Sequence, residues 1–231
     1  MTQKIIPNKN TVNEISNALR KDLKDITGEE LFREHSSGIK YHKQIRLVGS
    51  NQAIGANLKD RDLHELIIID SDLSNTTFEG SDISGGVFTK SKLLRTNFAS
   101  VNATDCQFNS SNLSNAFMAY INLTDAKIKG STLIHTNIRQ ATCIRTNFSE
   151  SKIIEARFID LDAREAIFKG TYFLNSDIEY SNFTGANLTG AIFENCNLSN
   201  VVFTGANIKG AKIIKNEVES LLADYINSLN K

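Results

Sequence analysis

Ala186-Asn187-Leu188-Thr189-Gly190 and, one stretch of twenty residues later, Ala206-Asn207-Ile208-Lys209-Gly210 decide how this chain is read. Each block is five residues long, with a small residue first, a large apolar residue third and Gly last. The same register runs without a slip from residue 56 to residue 215. Of the 32 positions 58, 63, 68 and onward to 213, 29 are Leu, Ile, Phe or Met, and the exceptions are Ala103, Cys143 and Ala163. Two residues before each lies a second site, and 28 of these 32 are Ala, Ser, Thr, Cys, Gly or Val; the others are Arg61, Leu66, Ile121 and Leu161. A period of five is neither the 3.6 of a helix nor the 2 of a strand, so it belongs to a repeating supersecondary unit. With two inward side chains in five, one unit cannot bury its apolar face, and only stacked neighbours make a continuous core.

These blocks closely resemble the pentapeptide-repeat motif: a small residue, Asn or Asp, then Leu or Phe, then two variable residues. The resemblance covers roughly 70% of the chain. It implies an all-β solenoid, a right-handed quadrilateral β-helix with four pentapeptides per coil, the small and large residues pointing inward and the other three outward. At four units per coil the repeats make about eight coils, a rod about 38 Å long at the spacing of paired strands. Gly in the last position, at Gly80, Gly85, Gly130, Gly170, Gly185, Gly190, Gly205 and Gly210, marks corners that require positive φ. Ala103 follows the oversized Val101 and Ala163 the oversized Leu161, as a core of fixed volume demands. Arg61 does not fit; it is expected in the first, least enclosed coil, turned outward or paired with Asp60 or Glu65.

The pattern divides the chain into residues 1–50, 51–215 and 216–231. A stacked core exposes apolar side chains at both ends, so the flanks are expected to cap it. Thr11-x-x-Glu14 has the spacing of a capping box and opens a helical stretch with Val12, Ile15, Leu19, Leu23 and Ile26 on one face. Thr27-x-x-Glu30 repeats that signature, and residues 41–48 read as a strand leading into the first coil. At the other end Val218, Leu221, Leu222, Tyr225, Ile226 and Leu229 form the stripe of an amphipathic helix. It has two readings: a cap on the last coil, or a homodimer contact of the kind the resemblance to quinolone-resistance members implies.

No apolar run approaches the length of a membrane span, and the first residues lack the basic start and apolar core of a secretory signal. The expectation is a cytoplasmic protein of bacterial type, with export by a signal-less route left open. Cys106, Cys143 and Cys196 all fall on inward sites, as small core residues. His35, His42, His64 and His135 lack neighbours at metal-ligand spacing, and neither a phosphate-binding Gly loop nor a nucleophile elbow is present. No enzyme, cofactor or metal is therefore expected.

If twenty residues make one circuit, residues twenty apart stand in one column. The face centred on Leu63 and Ile83 then carries Asp62, Glu65, Asp82, Asp105, Asp125, Asp162 and Glu165 against Arg145 and Arg164. The next face carries Lys90, Lys127, Lys129, Lys169 and Lys209 against Asp70 and Glu150. The fourth exposes Leu94, Ile134, Ile154, Leu174 and Ile214, flanked by Tyr172 and Ile192: an apolar ridge of the kind that marks a protein-binding surface. Phe117, Ala119 and Tyr120 form a smaller patch, with Ile159 and Tyr180 further along.

Two functions follow. In the first, the rod is a non-catalytic interaction module that presents the ridge to a protein partner, in the manner of a bacterial effector. In the second, drawn from the resemblance, it is a DNA mimic that binds DNA gyrase or topoisomerase IV and confers inhibitor resistance. A mimic needs negative charge near the density of duplex phosphates, yet residues 51–215 hold 16 Lys or Arg against 17 Asp or Glu. Direct nucleic-acid binding has no electrostatic footprint in a chain of net charge +0.

Overall fold

The computed structural model describes residues 24–25, 45–49 and 53–214. They form an all-β parallel solenoid. Nearly every pairing joins a residue to the one twenty positions later: Asn57 to Thr77, Thr77 to Asn97, Asn97 to Phe117, and so on to Asn187 with Asn207. Two kinds of backbone hydrogen bond hold each rung. Leu58 N–H donates to the Thr77 carbonyl at 2.8 Å, and Thr77 N–H donates back to the Ala56 carbonyl at 3.0 Å. Within a circuit the chain turns at every fifth residue. Leu66 N–H donates to the Leu63 carbonyl at 3.2 Å, closing a four-residue turn whose third member, Glu65, has φ 59°. All eight glycines expected at corners have positive φ, and bulkier residues such as Arg145 and Tyr180 accept the same conformation elsewhere. Four such corners fall in each twenty-residue circuit, which makes the cross-section four-sided.

The core runs down the axis. The large positions are fully enclosed from Leu58 to Leu198, and the small positions from Leu66 to Cys196. Phenylalanines one circuit apart stack at the strand spacing: Phe88 on Phe108 at 5.0 Å, Phe148 on Phe168 at 4.9 Å and Phe173 on Phe193 at 4.7 Å between centroids. Val101 with Ala103, and Leu161 with Ala163, are all buried, so the volume exchange read from the sequence holds. Small hydroxyls satisfy themselves along a column. Ser131 Oγ donates to the Phe108 carbonyl at 2.7 Å and accepts from Ser111 N–H at 3.2 Å. Among the described residues, Ser and Thr therefore enter the core without an orphaned hydroxyl. At the C-terminal end Val201, Phe203, Ala206, Ile208 and Ile213 are only partly buried.

Longer strands occur on one side. There β4 (Thr132–Ile134), β5 (Lys152–Ile154), β6 (Tyr172–Leu174), β7 (Ile192–Glu194) and β8 (Lys212–Ile214) make a five-stranded parallel sheet. Most other sides place Asn or Asp first, and its side chain accepts the N–H two residues on, as Asn122 Oδ1 does from Thr124 at 3.1 Å, pulling the chain into a turn. The five strands lack that acceptor and stay extended. At the N-terminal side, β1 (Lys24–Asp25), β2 (Ile45–Val48) and β3 (Ile67–Ile69) form a second parallel sheet in the order β1-β2-β3. The strand expected within residues 41–48 is thus present as β2. Lys24–Asp25, however, lies inside the stretch read as a helix and is a strand: hydrogen bonding to β2 overrides the local 3.6-residue period. The remainder of that helix, the segment after Thr27 and the stripe from Val218 to Leu229 lie outside the described residues. Arg61 is half-buried, and its backbone N–H donates to Ser81 Oγ at 2.8 Å.

Gly86 occupies a small inward site where a Cβ would sit 2.7 Å from the Ile83 carbonyl oxygen and 2.9 Å from Phe88 Cε2. Gly86→Ala is expected to cost about 1–3 kcal/mol in chemical denaturation, although Ala is accepted at Ala126 and Ala166 in equivalent positions. An unchanged midpoint would show that the circuit relaxes freely there.

Candidate functional site

The apolar ridge is carried by the β4–β8 sheet, and its register is fixed by backbone pairing. Ile134 stands beside Ile154, Ile154 beside Leu174, and Tyr172 beside Ile192. These outward side chains are half-buried, each packed between its column neighbours. Glu194 follows Leu174 in the same column and separates it from Ile214. Tyr172 donates its phenol to Glu194 Oε2 at 2.8 Å, and that carboxylate raises the tyrosine pKa. Leu94 stands apart: pairings of Lys92 with Asn112 and of Asn112 with Thr132 put the buried Ser114 between it and Ile134. The ridge is therefore Ile134, Ile154 and Leu174 with Tyr172 and Ile192 alongside, bordered by the exposed Lys152 and Lys212.

The acidic column exists, but part of it is internally neutralised. Arg145 forks onto Asp125 at 2.7 and 2.6 Å, and Arg164 onto Asp162 at 2.8 Å twice. These bonds lower the two carboxyl pKa values. Asp62 Oδ1 accepts a hydrogen bond from His64 Nδ1 at 2.6 Å, and this bond raises the histidine pKa. Burial opposes ionisation of Asp82, yet the hydroxyl and N–H of Ser84, with the Asn102 amide, hold it below its ordinary value. Glu65, Asp105 and Glu165 are exposed. Among the described residues no group of three or more His, Cys, Asp or Glu is placed to hold a metal ion. Cys106, Cys143 and Cys196 are free and buried; burial raises the first two thiols and pushes Cys196 up to about 11. Among the described residues no helix is long and apolar enough to cross a membrane.

A third surface is more exposed than the ridge. Tyr120 and Tyr180 are 53% and 58% exposed and Phe117 38%, whereas Ala119, expected outward, is fully buried. Small side chains at that position, such as Ser114 and Ser149, sink in the same way. What the sequence reading missed here is Arg139 and Arg157. Arg139 lies 5.9 Å over the Tyr120 ring, and both arginines line an open groove of about 550 Å³ with Ile159, Asp160, Glu179 and Tyr180. Sorting the outward residues by twenty would have found them.

The family described as Pentapeptide repeats matches residues 106–142, 130–170 and 181–215, in 8 copies. The matched residues are pentapeptide repeats. HetL, a pentapeptide-repeat protein involved in heterocyst differentiation regulation from the cyanobacterium Nostoc sp. strain PCC 7120, shares its fold at 17% identity and a TM-score of 0.51, covering 84% of this chain and 100% of HetL. A trypsin-treated form of QnrB1, a plasmid-mediated fluoroquinolone resistance protein, aligns at 16% identity with a TM-score of 0.48, covering 81% of this chain and 97% of QnrB1. No curated protein matches the sequence. The pentapeptide-repeat match indicates no enzyme family.

His64 gains its partner in the folded state, so its contribution to stability is full below its ordinary value of 6.5 and is lost as pH rises through the raised folded value. In an NMR titration His64 is expected to titrate above that value, and Asp62→Asn should return it toward normal. An unmoved His64 resonance in Asp62→Asn would remove the pair.

Proposed function

We propose that this protein is a non-catalytic recognition rod that presents the β4–β8 face to a protein partner. The observation that carries this reading is the contiguous run Ile134, Ile154, Leu174, held in register by backbone pairing and flanked by Tyr172 and Ile192. Apolar side chains on consecutive circuits of a stiff scaffold meet a partner at little conformational cost, because no loop must be ordered on binding. Lys152 and Lys212 at the border suit a partner with acidic residues around an apolar centre. In this reading the twenty-residue circuit is completed about eight times between residues 53 and 214. Residues 1–50 and 216–231 close the two ends. The partial burial of Phe203, Ile208 and Ile213 supports a covering role for the stripe Val218, Leu221, Leu222, Tyr225, Ile226 and Leu229.

The gyrase-binding DNA-mimic reading has less support. Two of the acidic side chains on its face are tied up by Arg145 and Arg164, which leaves gaps in the column of negative charge that a duplex mimic requires.

Ile154→Lys places a charge in the centre of the ridge without touching the core, since the neighbouring Lys152 shows that the sheet accepts lysine. It is expected to abolish capture of the partner that the wild-type protein retains from cell lysate, with an unchanged circular dichroism spectrum. Undiminished capture by a folded Ile154→Lys protein would contradict the assignment of this face.

A further inference from the structure

The face that carries Tyr120 and Tyr180 shows three features that the fold alone does not require. Both tyrosines sit at corners with φ near 60°, 62° and 59°, a conformation that favours glycine, and both rings remain in solvent. Arg139 Nε and Asp177 Oδ1 are enclosed yet have no hydrogen-bond partner. Between the tyrosines lies the groove lined by Arg139, Arg157, Ile159, Asp160 and Glu179. Exposed Tyr and Arg around a small apolar centre is the composition of protein contacts.

We propose that this face binds a second copy of the chain, antiparallel, about a two-fold axis passing between the circuit of Gln140 and the circuit of Asp160. Such an axis runs along the strand direction, so each column of outward residues meets itself in reverse order. In the corner column Tyr120 meets the partner's Tyr180, and Gln140 meets the partner's Asp160. In the next column Arg139 meets the partner's Ile159, which places its guanidinium beside the partner's Asp160. In the third, Asn137 meets the partner's Arg157, and Phe117 meets the partner's Asp177. No like charges are set directly opposite one another. Moving the axis half a circuit, onto the Asp160 circuit, would oppose Asp160 to the partner's Asp160 and Arg157 to the partner's Arg157. Charge therefore selects the register in which the tyrosines also meet. This contact is on a different side of the rod from the β4–β8 ridge and is independent of the function proposed above.

The contact spans the four circuits from Tyr120 to Tyr180 on one side of the rod, and association in the micromolar range is expected. Sedimentation equilibrium of the full chain from about 10 to 500 micromolar is expected to show a monomer–dimer equilibrium. Arg139→Glu and Asp160→Arg should each weaken it by at least about tenfold, because each sets like charges together. An equimolar mixture of the two variants should dimerise again, since Glu at 139 then meets Arg at 160 and the native pair survives at the other end of the axis. Ile154→Lys should dimerise as the wild type does, and circular dichroism verifies that every variant is folded. A wild-type protein monomeric throughout, a dimer unaffected by either charge reversal, or a folded mixture that fails to associate would each overturn the proposal.

Discussion

The hydrogen bonds between residues one circuit apart are the constraint from which the rest of this structure follows. From residue 57 onward each rung joins residues twenty apart, so that N–H and carbonyl groups of adjacent circuits meet in register. That length in turn sets the interior volume. Two side chains from each of four sides must fill it, so a Phe on one side is tolerated where its neighbours stack, and Val101 or Leu161 in a small site is matched by Ala at the next inward position. The same rungs bring Phe88 onto Phe108 and Phe148 onto Phe168 at distances close to the strand spacing. Backbone pairing and core packing thus impose the same repeat.

On the outside, this regularity turns sequence into surface pattern. Because residues twenty apart are neighbours, an Asp and an Arg placed one circuit apart become a forked ion pair, as Asp125 and Arg145 do. Three aliphatic residues at the same spacing become the ridge Ile134, Ile154 and Leu174. A rigid rod has little to gain from a deep pocket; its information lies in which side chains stand in which column. The proposed recognition by faces draws on these columns.

The inward half of the molecule was legible in the sequence because nearly every inward position obeys one rule of size. The corners were legible where Gly marks them, and the alignment of columns followed once twenty residues were taken as a circuit. What escaped had competing physical causes. Lys24–Asp25 lies in a stretch with a helical period but is captured by hydrogen bonding to β2. Ala119 counts as an outward position, yet a methyl group there sinks below its neighbours. Leu94 has the right position in its unit for the ridge, but the buried Ser114 intervenes. Arg139 and Arg157 were overlooked because arginine in an outward site looks like ordinary solvation until the groove between the tyrosines is seen.

The central claim is that twenty residues complete one circuit, and a distance between two corners of one column tests it most directly. Asn115 and Asn195 occupy the same corner column, both with positive φ, and are four circuits apart. Spin labels on Asn115→Cys and Asn195→Cys are expected to give a narrow distance distribution centred at about 19 Å, four times the strand spacing. The native cysteines do not compete for label, being buried with raised thiol pKa values. A mean distance differing by more than the length of the label, or a broad distribution, would contradict the stacking and with it every column described above.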